Sequence, residues 1–323
     1  MLLADKFLAA VKREDVEEVK LLLNHKEIDV NAKDHDRKTA LHCAVKNGNI
    51  EIVKLLLNRK EIDVNITDVD TTCSIYEKYQ RSILEGKDRV DTEGTALHFA
   101  AERGDIEVIK LLLNRKEIDV NAKDHDRKTA LHCAVQNGNT EIVKLLLKRK
   151  EIEVNVRISI GTALHVAIDK GDIEVVKLLL NHKRIDVNAE CCSKQRALHF
   201  AAKRGDIEVI TLLLNHKEID VNVGSWWEGM ALHCAVKKNH IEVVKLLLGH
   251  KEINVNVRDH KEKTALSIAI TQNQADIMLL LLINGAILDK DNEREINNEL
   301  KECLTVFKKI KEMPHLGKLM EIN

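Results

Sequence analysis

The stretch Thr129-Ala-Leu-His-Cys-Ala-Val-Gln-Asn-Gly-Asn-Thr-Glu-Ile-Val-Lys-Leu-Leu-Leu-Lys-Arg-Lys-Glu-Ile-Glu-Val-Asn155 reads as two short helices and the approach to a turn. Thr129 is placed to cap the first helix with its hydroxyl. Gly138 is placed to close that helix in the left-handed conformation. Glu141 opens the second helix and Lys148, Arg149 and Lys150 end it, which suits the helix dipole. Leu145, Leu146 and Leu147 make this second helix too apolar to stand alone, so neighbours must cover it on more than one side.

Repetition supplies the neighbours. The residue equivalent to Leu131 recurs at Leu8, Leu41, Leu97, Leu164, Leu198, Leu232 and Leu266, in steps of 33, 56, 34, 33, 34, 34 and 34 residues. A period held this regularly decides the fold before any single helix does. It gives eight copies, with one gap enlarged by about a score of residues. Residues 24–49 and 114–139 are nearly the same sequence, with His25/Arg115 and Lys46/Gln136 among the few differences, which points to duplication within the gene.

The chain resembles the ankyrin repeat family. Thr-Ala-Leu-His stands at 39–42, 95–98, 129–132 and 162–165, and Ala-Leu-His at 197–199 and 231–233. The helix junction is Gly104-Asp105, Gly171-Asp172 and Gly205-Asp206, and Asp-Val-Asn ends the unit at 29–31, 63–65, 119–121, 186–188 and 220–222. The resemblance covers roughly nine-tenths of the chain. It implies an all-α solenoid of eight helix-turn-helix repeats with hairpin-like loops at right angles and a C-terminal helical cap. The solenoid is placed at 1–291, with an irregular insertion at 66–94, and the cap and tail at 292–323. The family's Pro after Thr is Ala here. Arg37 and Arg127 replace its turn glycine, which suggests looser or differently shaped hairpins. Arg196 and Met230 replace the capping Thr, and Ser267 replaces the last His.

Composition excludes several classes. There are 51 basic and 52 acidic residues, so bulk charge announces no nucleic-acid or membrane partner. Eight Phe, Trp and Tyr residues in 323 leave an aliphatic interior. Seven cysteines, with Cys43, Cys133 and Cys234 at one repeated helical position, read as packing in a reducing cytosol, a cytoplasmic location. The N-terminal segment carries Asp5 and Lys6 within its apolar run and reads as the first repeat's helix, with helices at Leu2–Val11 and Val16–Leu23. No apolar run approaches a membrane span.

Two segments stand outside the pattern. In residues 66–94, Thr71 or Thr72 is placed to cap a short helix from Cys73 to Leu84, with Ile75, Tyr76, Tyr79, Ile83 and Leu84 near one face. It reads either as a loop tucked against neighbouring repeats or as a protruding finger. In residues 292–313, Ile296, Leu300, Cys303, Leu304, Phe307 and Ile310 fall at helical spacing. This helix reads as a cap over Ile277, Leu280 and Leu281, or as an amphipathic docking helix.

No phosphate loop, GxSxG, HExxH or calcium-loop pattern appears, so no catalytic residue, cofactor or metal is expected. His42, His98, His132, His165, His199 and His233 lie a full repeat apart, about 8–10 Å between packed helices, whereas zinc draws its ligands to about 2 Å from one centre. The resemblance implies that this His bonds locally to loop backbone. Cys191-Cys192 lacks any zinc spacing.

The polar aromatics lie off the repeated positions: Tyr76 and Tyr79 in the insertion, Trp226 and Trp227 at a loop tip. Such residues dominate binding hot spots. At least one indole is expected to be exposed until a partner covers it. The alternative is that one of each pair packs back on a helix. The pair ending each first helix reads Lys12-Arg13, Lys46-Asn47, Glu102-Arg103, Gln136-Asn137, Asp169-Lys170, Lys203-Arg204, Lys237-Lys238 and Thr271-Gln272, nine positive charges against two negative. By resemblance these positions face the family's concave groove, and the sign favours an acidic partner or belongs to a solvated stripe balanced elsewhere. The expectation is a monomeric, non-catalytic scaffold binding another protein through groove and tips, with no small-molecule substrate. The alternative is a binder of nucleic acid or an acidic surface, marked by steep salt dependence. The Lys-rich, near-duplicate repeats are also similar in style to ankyrin proteins of intracellular bacteria or viruses, which implies a host-directed effector in the host cytosol.

Overall fold

The computed structural model describes residues 3–68 and 94–311. Among these residues there are eighteen helices and no β-strand, with isolated β-bridges at hairpin bases such as Lys33 with Thr39, Ser225 with Gly229, and Arg258 with Thr264. The chain forms two compact units, Met1–Ile158 and Ser159–Asn323.

In the first unit the inner helices are α1 (Leu3–Lys12), α3 (Ala40–Asn47), α5 (Ala96–Arg103) and α7 (Ala130–Gln136). The outer helices are α2 (Val16–Leu23), α4 (Ile50–Leu57), α6 (Ile106–Leu113) and α8 (Thr140–Leu147). Inner packs on inner and outer on outer in chain order, as does each inner–outer pair. The core is a stack of small and aliphatic side chains. Ala40, Ala44, Ile52, Leu56, Ile109, Leu112, Leu131, Ile142 and Leu146 are all fully buried. Alanine on the inner helices lets backbones approach, and leucine and isoleucine on the outer helices fill the space behind.

The second unit repeats this order with inner α9 (Ala163–Lys170), α11 (Ala197–Arg204), α13 (Ala231–Lys237) and α15 (Ala265–Thr271). Its outer helices are α10 (Ile173–Leu180), α12 (Ile207–Leu214), α14 (Ile241–Leu248) and α16 (Ala275–Ile283). The segment expected as one terminal helix is two. α17 (Lys290–Glu295) stops, and α18 (Asn298–Lys311) restarts because the Asn297 side chain accepts the Leu300 N–H at 2.9 Å. Ile296, Leu300 and Leu304 are buried, with α18 against α16 and α17 against α15. These helices cover the end of the stack, while Val306 faces solvent.

The inner-helix cap adds a ring to the hydroxyl cap expected at Thr129 and present at Thr39 and Thr264. The His132 Nδ1 accepts the Thr129 backbone N–H at 3.2 Å and lies 2.9 Å from the hydroxyl. An accepting Nδ1 fixes the neutral tautomer with the proton on Nε2. That Nε2 donates to the Val156 carbonyl, in the loop one repeat on, at 3.1 Å. His42, His98, His199 and His233 do the same toward Gly94, Lys128, Gly229 and Lys263. The backbone N–H suffices, so Arg196 and Met230 serve where Thr is missing. Ser267, in the last repeat, has no following hairpin to reach and turns its hydroxyl back to the Thr264 carbonyl.

A second ladder comes from the Asn that ends Asp-Val-Asn. Asn65 donates to the Glu117 carbonyl at 2.7 Å and accepts the Asp119 N–H at 2.8 Å, tying one repeat to the next. Asn31 and Asn121 repeat this in the first unit, Asn188 and Asn222 in the second.

Hairpins carrying Arg37 and Arg127 are not loosened. Both residues take the left-handed conformation that glycine adopts without cost, at φ 62° and 64°. The turns close through Asp34 N–H to Lys38 carbonyl and Asp124 N–H to Lys128 carbonyl, each 2.9 Å. The strain of a side chain there, about 1 kcal/mol, is outweighed by these bonds. Enlargement between repeats two and three leaves the stack intact: α3 packs directly on α5. The expected helix Cys73–Leu84, with Tyr76 and Tyr79, lies outside the described residues.

Candidate interaction surface

The basic inner-helix ends lie at helix C-termini, where the dipole favours cations. Part of their charge is taken up by ion pairs within the fold. Lys12 meets the buried Asp34 carboxylate at 2.7 Å, Lys203 meets Glu228 at 3.0 Å, and Lys237 meets buried Asp259 at 3.3 Å. Burial pushes the Asp34 carboxyl up, but the hydrogen bonds from Lys12 and the Lys38 backbone bring it below the usual value. Arg13 pairs with Glu18. Arg103 donates to the Lys46 carbonyl at 2.8 Å, and Arg204 to the Asp169 carbonyl at 2.6 Å. Glycine at 48 leaves room for the Arg103 guanidinium, which a β-carbon there would strike. Lys46, Lys170 and Lys238 are exposed.

Counting charge at the helix ends missed the hairpin acids that pair with three of these cations, Lys12, Lys203 and Lys237. The signal was available: Lys12 and Asp34, and Lys237 and Asp259, are each 22 residues apart. At the same spacing Glu102 stands before Asp124. Without a lysine there, burial pushes the Asp124 carboxyl up to about 6. Asp124, His125 and Asp126 gather possible ligand atoms within 4.8 Å, but Asp126 is already engaged, with His125 Nε2 at 3.2 Å and Lys128 Nζ at 3.5 Å. The turn compensates its own charge.

At the hairpin tips of the second unit the pattern reverses, and apolar and cationic groups face outward. Ser225 N–H bonds the Gly229 carbonyl at 2.9 Å and closes a turn carrying Trp226 and Trp227. The indoles are 53% and 66% exposed. The Trp226 backbone N–H donates to Ser193 of the preceding tip at 3.3 Å. Lys194 Nζ lies 5.5 Å from the centre of the Trp226 ring, and the Trp227 ring meets His260 of the following tip edge-on at 5.5 Å. Three successive tips are thereby joined.

The repeated cysteines are inert. Burial pushes the thiols of Cys43, Cys133 and Cys234 up to about 11, 12 and 12, leaving no thiolate at neutral pH. A cleft of about 250 Å³ lies beside Ser267. Its walls pair with one another, Arg258 with Asp289 at 3.5 Å and Lys263 with Glu295 at 3.4 Å. Among the described residues no helix is long and apolar enough to cross a membrane.

The family model for ankyrin repeats in three copies matches residues 7–68, 76–158, 159–225 and 223–292. The chain belongs to the ankyrin repeat family. A solved ankyrin repeat domain from Acinetobacter baumannii AYE is 29% identical, with a TM-score of 0.55, covering 59% of this chain and 98% of that one. The search of curated proteins returned no match. Ankyrin repeats are in general non-catalytic protein–protein interaction modules.

Proposed function

We propose that this ankyrin protein is a non-catalytic scaffold that binds a partner protein through the hairpin tips of its second unit. It works as a monomer in a reducing cytosol, as the unpaired buried thiols suit. The style of its repeats extends the reading to a host-directed effector. The observation that carries it is the outward display of Trp226 and Trp227 on a closed turn. Two large amphipathic rings in contact with solvent bury much area at little entropic cost when a partner arrives. The exposed lysines Lys170 and Lys238 on inner helices of the same unit add a secondary, polar contribution.

The test is affinity capture from cytosolic extract with the intact protein and with Trp226→Ala/Trp227→Ala. The double variant should lose the captured protein and keep its melting temperature. A large fall in melting temperature with undiminished capture would sink the proposal.

A further inference from the structure

We infer that the three joined tips of the second unit form a docking strip for an extended acidic segment of the partner, one that sets carboxylates around a large apolar side chain. The inference rests on the interaction reading above and names its chemistry. Acids of these tips are turned toward the body: Glu190 is held by Arg196 at 3.1 Å, Glu228 by Lys203 and Asp259 by Lys237. Lys194 and Lys261 remain exposed on either side of the two indoles. Of the strip's outward charges only Glu262 is negative. The result is an apolar pair bracketed by cations, although the whole chain carries a net charge of -1.

Complementarity then sets the partner's character. An apolar side chain fills the space over the indoles, and flanking carboxylates meet the two ammonium groups. The tip is also preorganised. The Trp226 backbone bond to Ser193, the lysine over one ring and the histidine edge on the other hold the strip before binding, which lowers the ordering cost. An extended chain suits it, because the anchors lie in a row across successive repeats rather than around a pit.

The experiment is selection of a random peptide library displayed on phage against the immobilised full chain. Trp226→Ala/Trp227→Ala, Lys194→Glu/Lys261→Glu and Lys217→Glu serve as parallel baits, each checked for an unchanged helical spectrum. Selected peptides should carry Asp or Glu on both sides of a large apolar residue. A synthetic copy should shift the emission of the chain's two tryptophans. Affinity should fall about tenfold or more with either double variant and hold with Lys217→Glu, an exposed charge reversal elsewhere. Peptides that need the tryptophans but show no acidic enrichment would overturn the acidic partner and leave the interaction reading standing. Enrichment indifferent to the tryptophans, or none at all, would overturn both. An emission shift with oligo-dT or with phosphatidylserine vesicles in place of peptide would assign the strip to nucleic acid or lipid and overturn the inference.

Discussion

Asp68 and Gly94 bond one another in both directions: the Asp68 N–H donates to the Gly94 carbonyl at 3.2 Å, and the Gly94 N–H to the Asp68 carboxylate at 2.6 Å. They are the same pair as Asp34 and Lys38, which are four residues apart. The extra chain therefore leaves and rejoins at one hairpin position. Replacing residues 69–93 by His-Asp-Arg, the turn found after Asp34, should leave the helical spectrum and melting temperature almost unchanged. A broad or early melting transition would show that the segment is part of the core.

The repeated histidines make stability depend on pH. Burial lowers His42, His132 and His199 to about 4, and lowers His98 and His233 as well. Above their unfolded value near 6.5 both states are neutral and nothing changes. Below it the unfolded chain takes protons that the native one refuses, so stability falls with pH toward 4. Each histidine contributes about 1.4 kcal/mol per pH unit in that window. Asp124, raised to about 6, acts in the opposite sense but is a single group. Chemical denaturation at pH 7.5, 6.5 and 5.5 should show a flat, then steepening loss. A stability that rises on acidification would contradict the neutral caps.

Leu146 is fully buried on α8. Leu146→Asp should destabilise the first unit by several kcal/mol, since an unpaired carboxylate would be buried. Urea unfolding followed by circular dichroism reads this directly, and a loss under about 1 kcal/mol would not fit a covered outer helix.

The period made the fold legible, because a stacked repeat constrains every copy alike. What escaped was chemistry between copies. The Lys237–Asp259 pair and the reach of His132 to Val156 join residues of adjacent copies, and reading one copy by itself does not pair them. The break at Ile296–Asn297 escaped for another reason: the apolar spacing runs through it, and only the Asn297 cap divides the helices. The tryptophans were legible as irregularities of the pattern, but their ties to Ser193, Lys194 and His260 needed coordinates.

Removal of residues 290–323 should lower the melting temperature and promote association. It withdraws Ile296, Leu300 and Leu304 from burial and strips Thr271 of its 3.0 Å bond to Glu295. Three aliphatic side chains contribute about 4–9 kcal/mol when buried. Light scattering and calorimetry on the truncated chain check this, and an unchanged, monomeric product would assign α17 and α18 to another task.

The histidine reach has a consequence for how the chain comes off the ribosome. Within each unit the leftover groups of a repeat are met from its C-terminal side: its imidazole Nε2–H by the next hairpin, its inner carbonyl by the next Arg, Asn, His or Gln, as at Lys46, Ala101, Lys203 and Val236. A repeat that has just emerged is thus unfinished until its successor appears, and growth leaves one open end at a time. The Ser267 hydroxyl turns back to the Thr264 carbonyl of its own turn instead of reaching forward. It works as a full stop in this grammar, and a ninth repeat would call for histidine in its place.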